Sequence, residues 1–282
     1  MEDSIKKADV LIEALPYIQA FAGKRIVVKY GGSALASRQL NRGILQDLVF
    51  LSMVGLRPIL LHGGGPQISA RMASVGKAAK FIEGMRVTDR STMRIVNSEL
   101  EEVNEHLVTH IRSLGGRAEG LVARHQVIIA QPHPNAQWLG FVGTVGSIHA
   151  AKIRQVLERR AIPVVSPVGV SEGQLYNVNA DEAASAVAAS LKAEKFVLLT
   201  NVRGILRHAG DQSSLISTLS IREAKLLLER RVIQEGMIPK VNACMAALRR
   251  GVRKTHIIDG MIPHALLLEI FTKTGVGTEI LR

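Results

Sequence analysis

Two periods alternate along this chain. Apolar residues recur at three- and four-residue spacing over 4–22, around 40–54, from 66 onward, and over about 91–114, 149–159, 182–192, 221–231, 234–251 and 264–271. Each stretch predicts a helix. Between them lie short apolar runs at 25–30, 58–62, 127–130, 163–166, 196–200 and 255–259, which predict buried strands. In the first helix the recurring positions are Ile5, Ala8, Leu11, Ile12, Leu15, Ile18 and Ala22, and Pro16 is expected to bend or restart it. Ser91 is the expected N-cap of the long helix at 91–114, and Gly115-Gly116 its stop. Residues 84–89 have too little periodicity for a helix and read as a short hairpin or loop. Residues 131–146, rich in Pro, Gly and Asn, read as a loop or hairpin. Strands alternating with helices predict an α/β fold, a mostly parallel open sheet with helices on both faces. The helix at 4–22 precedes the first strand and is an addition to that fold. It either covers the core or docks on another subunit. A boundary between two lobes is expected near 170–177.

Composition narrows the class. The 282 residues are 47% hydrophobic and only 4% aromatic, ample for a large core and better suited to buried parallel strands than to a β-sandwich. A single cysteine, Cys244, leaves no disulfide framework within the chain and points to a reducing compartment; it reads as a small buried hydrophobe. No apolar run reaches the length of a membrane span, and the first residues lack a signal-peptide core, so a cytoplasmic location is expected, with no membrane partner. The net charge is +12, but the basic residues are dispersed, with no arginine-rich tail. Such a surface favours anionic partners such as nucleotides and carboxylates, and no nucleic-acid partner is expected.

Candidate chemistry begins at His62-Gly63-Gly64-Gly65-Pro66-Gln67-Ile68. Strand, glycine turn and helix is the layout of a phosphate site, because consecutive glycines bring exposed N–H groups close to an anion. Alone, the loop serves equally well as a tight turn. Lys29-Tyr30-Gly31-Gly32 repeats the layout after another apolar run. Two such turns at the carboxyl ends of early strands would lie side by side, where open α/β sheets bind ligands. Neither a P-loop nor a helix-opening G-x-G-x-x-G is present. Lys29 and Lys240 instead each sit beside a glycine-bearing turn, one in each half of the chain. Phosphoryl transfer needs positioning and positive charge around the moving group, which two such lysines would supply. Asp181, opening a helix after Asn177-Val178-Asn179-Ala180, is either a helix cap or the carboxylate that holds the two lysines. Arg86 is either a surface residue or a bidentate partner for a substrate carboxylate. His106 and His110 have a metal-compatible spacing but no evident third ligand, so they read as a solvated helix face.

Lys-Tyr-Gly-Gly at 29–32, His-Gly-Gly-Gly-Pro at 62–66, Gly-Met-Arg-Val-Thr-Asp at 84–89, Asn-Val-Asn-Ala-Asp at 177–181 and Gly-Met-Ile-Pro-Lys at 236–240 occur in this order. Together they resemble the amino-acid kinase family, and within it the branch acting on N-acetylglutamate, over residues 24–282. The resemblance implies an αβα sandwich. It implies transfer of the ATP γ-phosphoryl group to the γ-carboxylate of N-acetyl-L-glutamate, with Mg²⁺ arriving on the nucleotide and no resident metal site. By similarity Lys29, Lys240 and Asp181 would be catalytic. Gly32, Gly64, Gly65, Arg86, Asn177 and Asn179 would bind the acceptor and the phosphoryl oxygens. Thr200, Asn201, Gly204, Leu206, Gly236 and Met237 would line the nucleotide site. The implied organisation is an oligomerisation helix at 1–23, an acceptor-binding and dimerising lobe at 24–174, and an ATP lobe at 175–282.

The added N-terminal helix and the Gly275-Val276-Gly277-Thr278 end are similar to the arginine-inhibited, hexameric branch. Tyr17, His256, Glu269 and Gly275 match positions of its arginine site. The end at 266–272 also looks like relatives that bind a PII-type nitrogen sensor. Some positions depart from the family pattern: Glu101-Glu102-Val103-Asn104-Glu105, Thr144, Asn201 and Met261. None touches the two lysines, Asp181 or Arg86. Two other readings stay open at this point. One is a kinase for a carrier-protein-linked aminoadipate or glutamate, and the other is a non-catalytic regulatory relative.

Overall fold

The computed structural model describes residues 1–31, 38–208, 210–234, 236–272 and 275–282. The apolar run at the start of the chain's first motif forms β1 (Arg25–Tyr30), buried from Ile26 onward. Its continuous burial on both sides explains why its sequence does not alternate. One sheet of eight strands runs in the order β12 (Thr218–Ser220), β14 (Thr278–Leu281), β13 (Lys254–Asp259), β11 (Lys195–Thr200), β1, β2 (Arg57–His62), β8 (Ile162–Val165), β5 (Ala118–Leu121). All pairs are parallel except β13 with β14. The mostly parallel sheet is as expected. Strands β5, β12 and β14 carry too few apolar residues to stand out from sequence.

The register decides where ligands can bind. Lys29 pairs with Leu61 on one side and Leu198 on the other, and Tyr30 pairs with His62. The carboxyl ends of β1, β2 and β11 therefore share one edge. From β1 the chain moves to β2 on one side, and it returns from β8 to β11 on the other. The order reverses beside β1, and open α/β sheets place their binding crevice at such a point.

Each face of the sheet carries its own core. Val27, Ile59, Leu61, Phe196 and Leu198 pack under α6 (Ala150–Glu158), α7 (Ala180–Ser190) and α9 (Ile238–Arg249). Ile26, Val28, Tyr30, Leu60 and Val197 face α2 (Arg38–Met53), the later turns of α4 (Arg90–Ser113) and α10 (Ala265–Phe271). Helices on both faces were the expectation. A fully buried side chain such as Phe196 contributes roughly 1.5–3 kcal/mol by its removal from water.

Two additions shape the site. Strands β6 (Ile128–Pro132), β7 (Val142–Ile148), β9 (Val168–Ser171) and β10 (Gln174–Val178) close into a small barrel. The segments at 128–132 and 142–148 pair as a hairpin with a register shift between Ile129 and Ala130, so the Pro/Gly-rich stretch is a hairpin. A two-stranded hairpin, β3 (Phe81–Ile82) and β4 (Met85–Arg86), carries Arg86.

Two local expectations are corrected. The N-cap of α4 is Asp89, whose carboxylate accepts from Thr92 N at 2.7 Å; Ser91 lies inside the helix and donates to Asp89. An ionised cap beside a helix N-terminus is favoured over a hydroxyl by the helix dipole. Pro16 does not divide the first helix, and α1 (Glu2–Phe21) runs through it. This helix packs Tyr17 edge-on against Phe271 at 6.4 Å, while Ile5, Val10, Ile12 and Leu15 stay exposed. His106 and His110 stack edge to face on α4, and no group of three metal-ligating side chains occurs among the described residues.

Backbones approach closely where β14 begins. A Cβ on Gly277 would collide with the carbonyl oxygen of Ile257 in the neighbouring strand. We expect Gly277→Ala to lower the unfolding free energy by about 1–3 kcal/mol, as overpacking does. Urea denaturation with an unchanged m-value would show it; an unchanged midpoint would mean the strands separate without cost.

Candidate active site

Three elements converge on one carboxylate. Lys29 is near the end of β1, Asp181 is in the first turn of α7, and Lys240 is in the first turns of α9. Lys29 Nζ lies 2.8 Å from Asp181 Oδ1, and Lys240 Nζ lies 2.9 Å from Asp181 Oδ2. The three side chains are only 11%, 8% and 22% exposed for Lys29, Asp181 and Lys240. Asp181 is free for this role because Asn179 caps α7, accepting from Asp181 N at 2.9 Å and Glu182 N at 3.1 Å. Burial alone would raise the carboxyl pKa, but the two ammonium groups outweigh it and hold the acid below its ordinary value. The triad therefore keeps a net charge of +1 in a largely buried setting, a standing attraction for an anion.

On the Lys29 side lies a cleft of about 310 Å³ lined by Gly63, Gly64, Gly65, Arg86, Asn177 and Asn179. The Arg86 guanidinium is buried. It donates to Gly65 O at 3.1 Å, to Ser69 Oγ at 2.7 Å and to Met72 Sδ at 3.2 Å, and lies 4.7 Å over the Phe81 ring. No carboxylate pairs with it among the described residues. A buried cation held only by neutral groups is prepared for an anionic ligand. Burial also lowers its pKa. Asn177 donates to Thr88 Oγ1 at 3.2 Å, and Thr88 donates to the Arg86 carbonyl at 2.7 Å, so barrel and hairpin are tied together.

On the Lys240 side lies a second cavity of about 400 Å³, walled by Thr200, Asn201, Gly204, Leu206, Gly236 and Met237 with the apolar Ile205, Val232 and Ile233. All six expected nucleotide-site residues line it. Gly32 lies outside the described residues. The Lys–Asp–Lys triad thus stands at the seam between two cavities, one rich in anion-binding groups and one mainly apolar.

The family model of the amino acid kinase family matches residues 24–259. The acetylglutamate kinase of Desulforamulus reducens is 45% identical over 284 residues, covering 99% of each chain.

The chain belongs to the amino acid kinase family.

Among solved structures, N-acetylglutamate synthase from Neisseria gonorrhoeae complexed with coenzyme A and N-acetyl-glutamate superposes with a TM-score of 0.87 at 28% identity. The match covers 98% of this chain and 63% of that longer one. The same synthase complexed with coenzyme A and L-arginine gives a TM-score of 0.83 at 27% identity, covering 97% of this chain and 65% of that one.

A second cluster in this amino acid kinase lies away from the cavities. His256 Nδ1 is 2.6 Å from Glu269 Oε1, and Glu269 Oε2 accepts from Val276 N at 2.8 Å. A Cβ on Gly275 would come within 2.7 Å of Glu269 Oε2, and its φ of +62° also favours glycine. Tyr17 reaches the same helix through Phe271. The structure brings the four expected arginine-site residues to one end of α10. Sequence reading missed Lys195, which is buried beside this cluster with its ammonium 5.2 Å from the Phe21 ring centre. It also assigned nothing to Thr88, Ser69, Asn104 or His62. Of these, His62 and Thr88 stood inside motifs, the glycine loop and the segment 84–89.

His62 is fully buried, and burial lowers its pKa to about 4. The unfolded chain binds this proton below the ordinary value of about 6.5, whereas the folded chain binds it only near 4. Stability therefore rises with pH across that window and is lost as pH falls through it, by about 3 kcal/mol from this group. We expect His62→Asn to flatten the stability profile between pH 6.5 and 4 by about that amount, measured by urea denaturation at each pH. A parallel profile for the variant would contradict the assignment.

Proposed function

We propose that this kinase transfers the γ-phosphoryl group of ATP to the γ-carboxylate of N-acetyl-L-glutamate, forming an acyl phosphate. The observation that carries this reading is the Asp181 carboxylate joining Lys29 and Lys240 where the two cavities meet. An oxygen of the acceptor carboxylate bonds to the γ-phosphorus, and the bond from that phosphorus to the β–γ bridging oxygen breaks, releasing ADP. The attacking carboxylate is already ionised, so it needs no general base. The protein's part is to align two anions that repel each other and to neutralise charge as it spreads over the phosphoryl oxygens.

The acceptor occupies the cleft with Arg86, Asn177 and Asn179, with one carboxylate on the Arg86 guanidinium. The nucleotide occupies the cavity lined by Thr200 to Leu206, Gly236 and Met237. Gly32, Gly64 and Gly65 bind oxygens near the transferred group. Mg²⁺ comes bound to the ATP phosphates, the usual mode for a cation that keeps much of its water. In this reading residues 24–174 are the acceptor-binding and dimerising lobe and residues 175–282 the ATP lobe. Residues 1–23 are in this reading an oligomerisation helix in a hexamer, which the exposed Ile5, Val10, Ile12 and Leu15 of α1 support. L-arginine is a feedback inhibitor bound around Tyr17, His256, Glu269 and Gly275. The neisserial synthase crystallised with L-arginine supports placing arginine on this fold.

ADP release from Mg-ATP is expected to require N-acetyl-L-glutamate and to stop with EDTA. Lys29→Ala and Lys240→Ala should each lower kcat by about 100-fold or more. Release without the acceptor, or full activity in either variant, would remove the reading. L-arginine should inhibit the wild type, and Glu269→Gln should escape that inhibition while keeping its activity. Equal inhibition of both would move the arginine site elsewhere.

A further inference from the structure

The glycine loop is held by groups that the reaction itself does not use. Gly63 N donates to Tyr30 O at 2.7 Å, fastening the loop to the end of β1. The Gly63 carbonyl lies 2.9 Å from His62 Nδ1. The other ring nitrogen, Nε2, lies 3.0 Å from Asn104 Nδ2. That amide also donates to Val164 O at 2.8 Å. A carbonyl oxygen can only accept, so the bond to Val164 fixes which end of the Asn104 amide is nitrogen. Asn104 therefore donates to Nε2, which must be the bare nitrogen, and Nδ1 carries the proton that is donated to Gly63 O. A neutral ring meets both requirements, in keeping with its full burial.

The consequence falls on the next amide. In a trans peptide the C=O of one residue and the N–H of the following residue point in opposite directions. Drawing the Gly63 carbonyl toward His62 turns the Gly64 N–H away from it, toward the cleft that Gly64 lines. Among the described residues nothing accepts from the Gly64 amide. The same helix face seats the loop from below. Leu100, one turn before Asn104 on α4, lies where a Cβ on Gly64 would come within 2.6 Å of it. A Cβ on Gly120 would collide with Asn104 Oδ1, so the amide packs directly against that backbone.

We propose that Asn104 and His62 are positioning residues, a two-step relay from helix α4 that sets the imidazole tautomer and so aims the Gly64 N–H at the transferring phosphoryl oxygens. The identity of those oxygens rests on the phosphoryl-transfer reading above. The tautomer does not.

Three variants and one spectroscopic measurement test the relay. Asparagine can place an N–H where Nδ1 stands, and glutamine places one where Nε2 stands. His62→Asn should keep kcat within about threefold of wild type, and His62→Gln should lose about tenfold or more with little change in KM for ATP. A space-filling role for His62 would give the reverse order, since glutamine is nearer in size. Asn104→Asp puts an acceptor opposite Nε2. Its neutral ring then carries the proton on Nε2 and releases Gly63, while its protonated ring holds both bonds. In that variant kcat should fall as pH rises through a midpoint above 6.5, the ordinary histidine value, where wild type shows no such step. In ¹⁵N-histidine-labelled wild type at pH 7, the resonance absent from His62→Asn should show a protonated Nδ1 and a bare Nε2. A protonated Nε2, full activity in His62→Gln, or a wild-type pH profile in Asn104→Asp would overturn the relay. If wild type shows no acceptor-dependent ADP release, the reaction assignment falls, and the ¹⁵N spectrum alone decides the relay.

Discussion

A single buried carboxylate shared by two ammonium groups sets the terms for the rest of this molecule. Asp181 can hold Lys29 and Lys240 at 2.8 and 2.9 Å only if β1, α7 and α9 keep their relative positions. Charges this poorly solvated cost several kcal/mol each to bury, and mutual attraction offsets the cost only with good geometry. The fold supplies that geometry with its most rigid parts. β1 is a central strand paired on both sides, and a slip of one residue would turn Lys29 into the opposite core. Asn179 takes over the capping of α7, which leaves the Asp181 side chain for the lysines.

The triad explains the contrast between the two cavities. Its excess positive charge lies at the seam, and so does the region where two anionic substrates must meet. The Lys29 side offers the glycine loop, Asn177, Asn179 and the buried Arg86 beside one carboxylate, Glu182, which accepts from Val145 N, and the Lys240 side is mostly apolar. A site built this way stabilises charge on a moving phosphoryl group with fixed dipoles and cations rather than with proton transfer. Hydrogen bonds from Asn177 to Thr88 and from Arg86 to Gly65 join the barrel, the hairpin and the glycine loop around this cleft.

The cluster around Glu269 is joined to the same framework by packing. α10 begins where Asp47 of α2 meets His264, with Oδ1 and Nδ1 2.6 Å apart, and burial raises the Asp47 pKa. At its other end Phe271 contacts both Phe50 of α2 and Tyr17 of α1. Both ends of α10 are thus packed on α2, whose sequence position follows the first glycine turn.

The sequence by itself determined the fold class, because strand runs and helical spacing alternate without ambiguity in a chain rich in Val, Ile, Leu and Ala. It also determined the family, through five ordered motifs, and the lysines that the triad uses. Boundaries and weak strands escaped it: β5, β12 and β14 are stabilised by partners far along the chain, and Asp89 outcompetes Ser91 as a cap by its charge. Only the tertiary structure decided that Asp181 serves the lysines rather than its own helix, since that depends on which groups α9 and β1 bring near it. Only it joined Asn104 to His62, 42 residues apart in sequence, and seated Lys195 beside Glu269. Local pattern reports what a residue can do with its neighbours along the chain. Long-range packing selects which of those abilities is used.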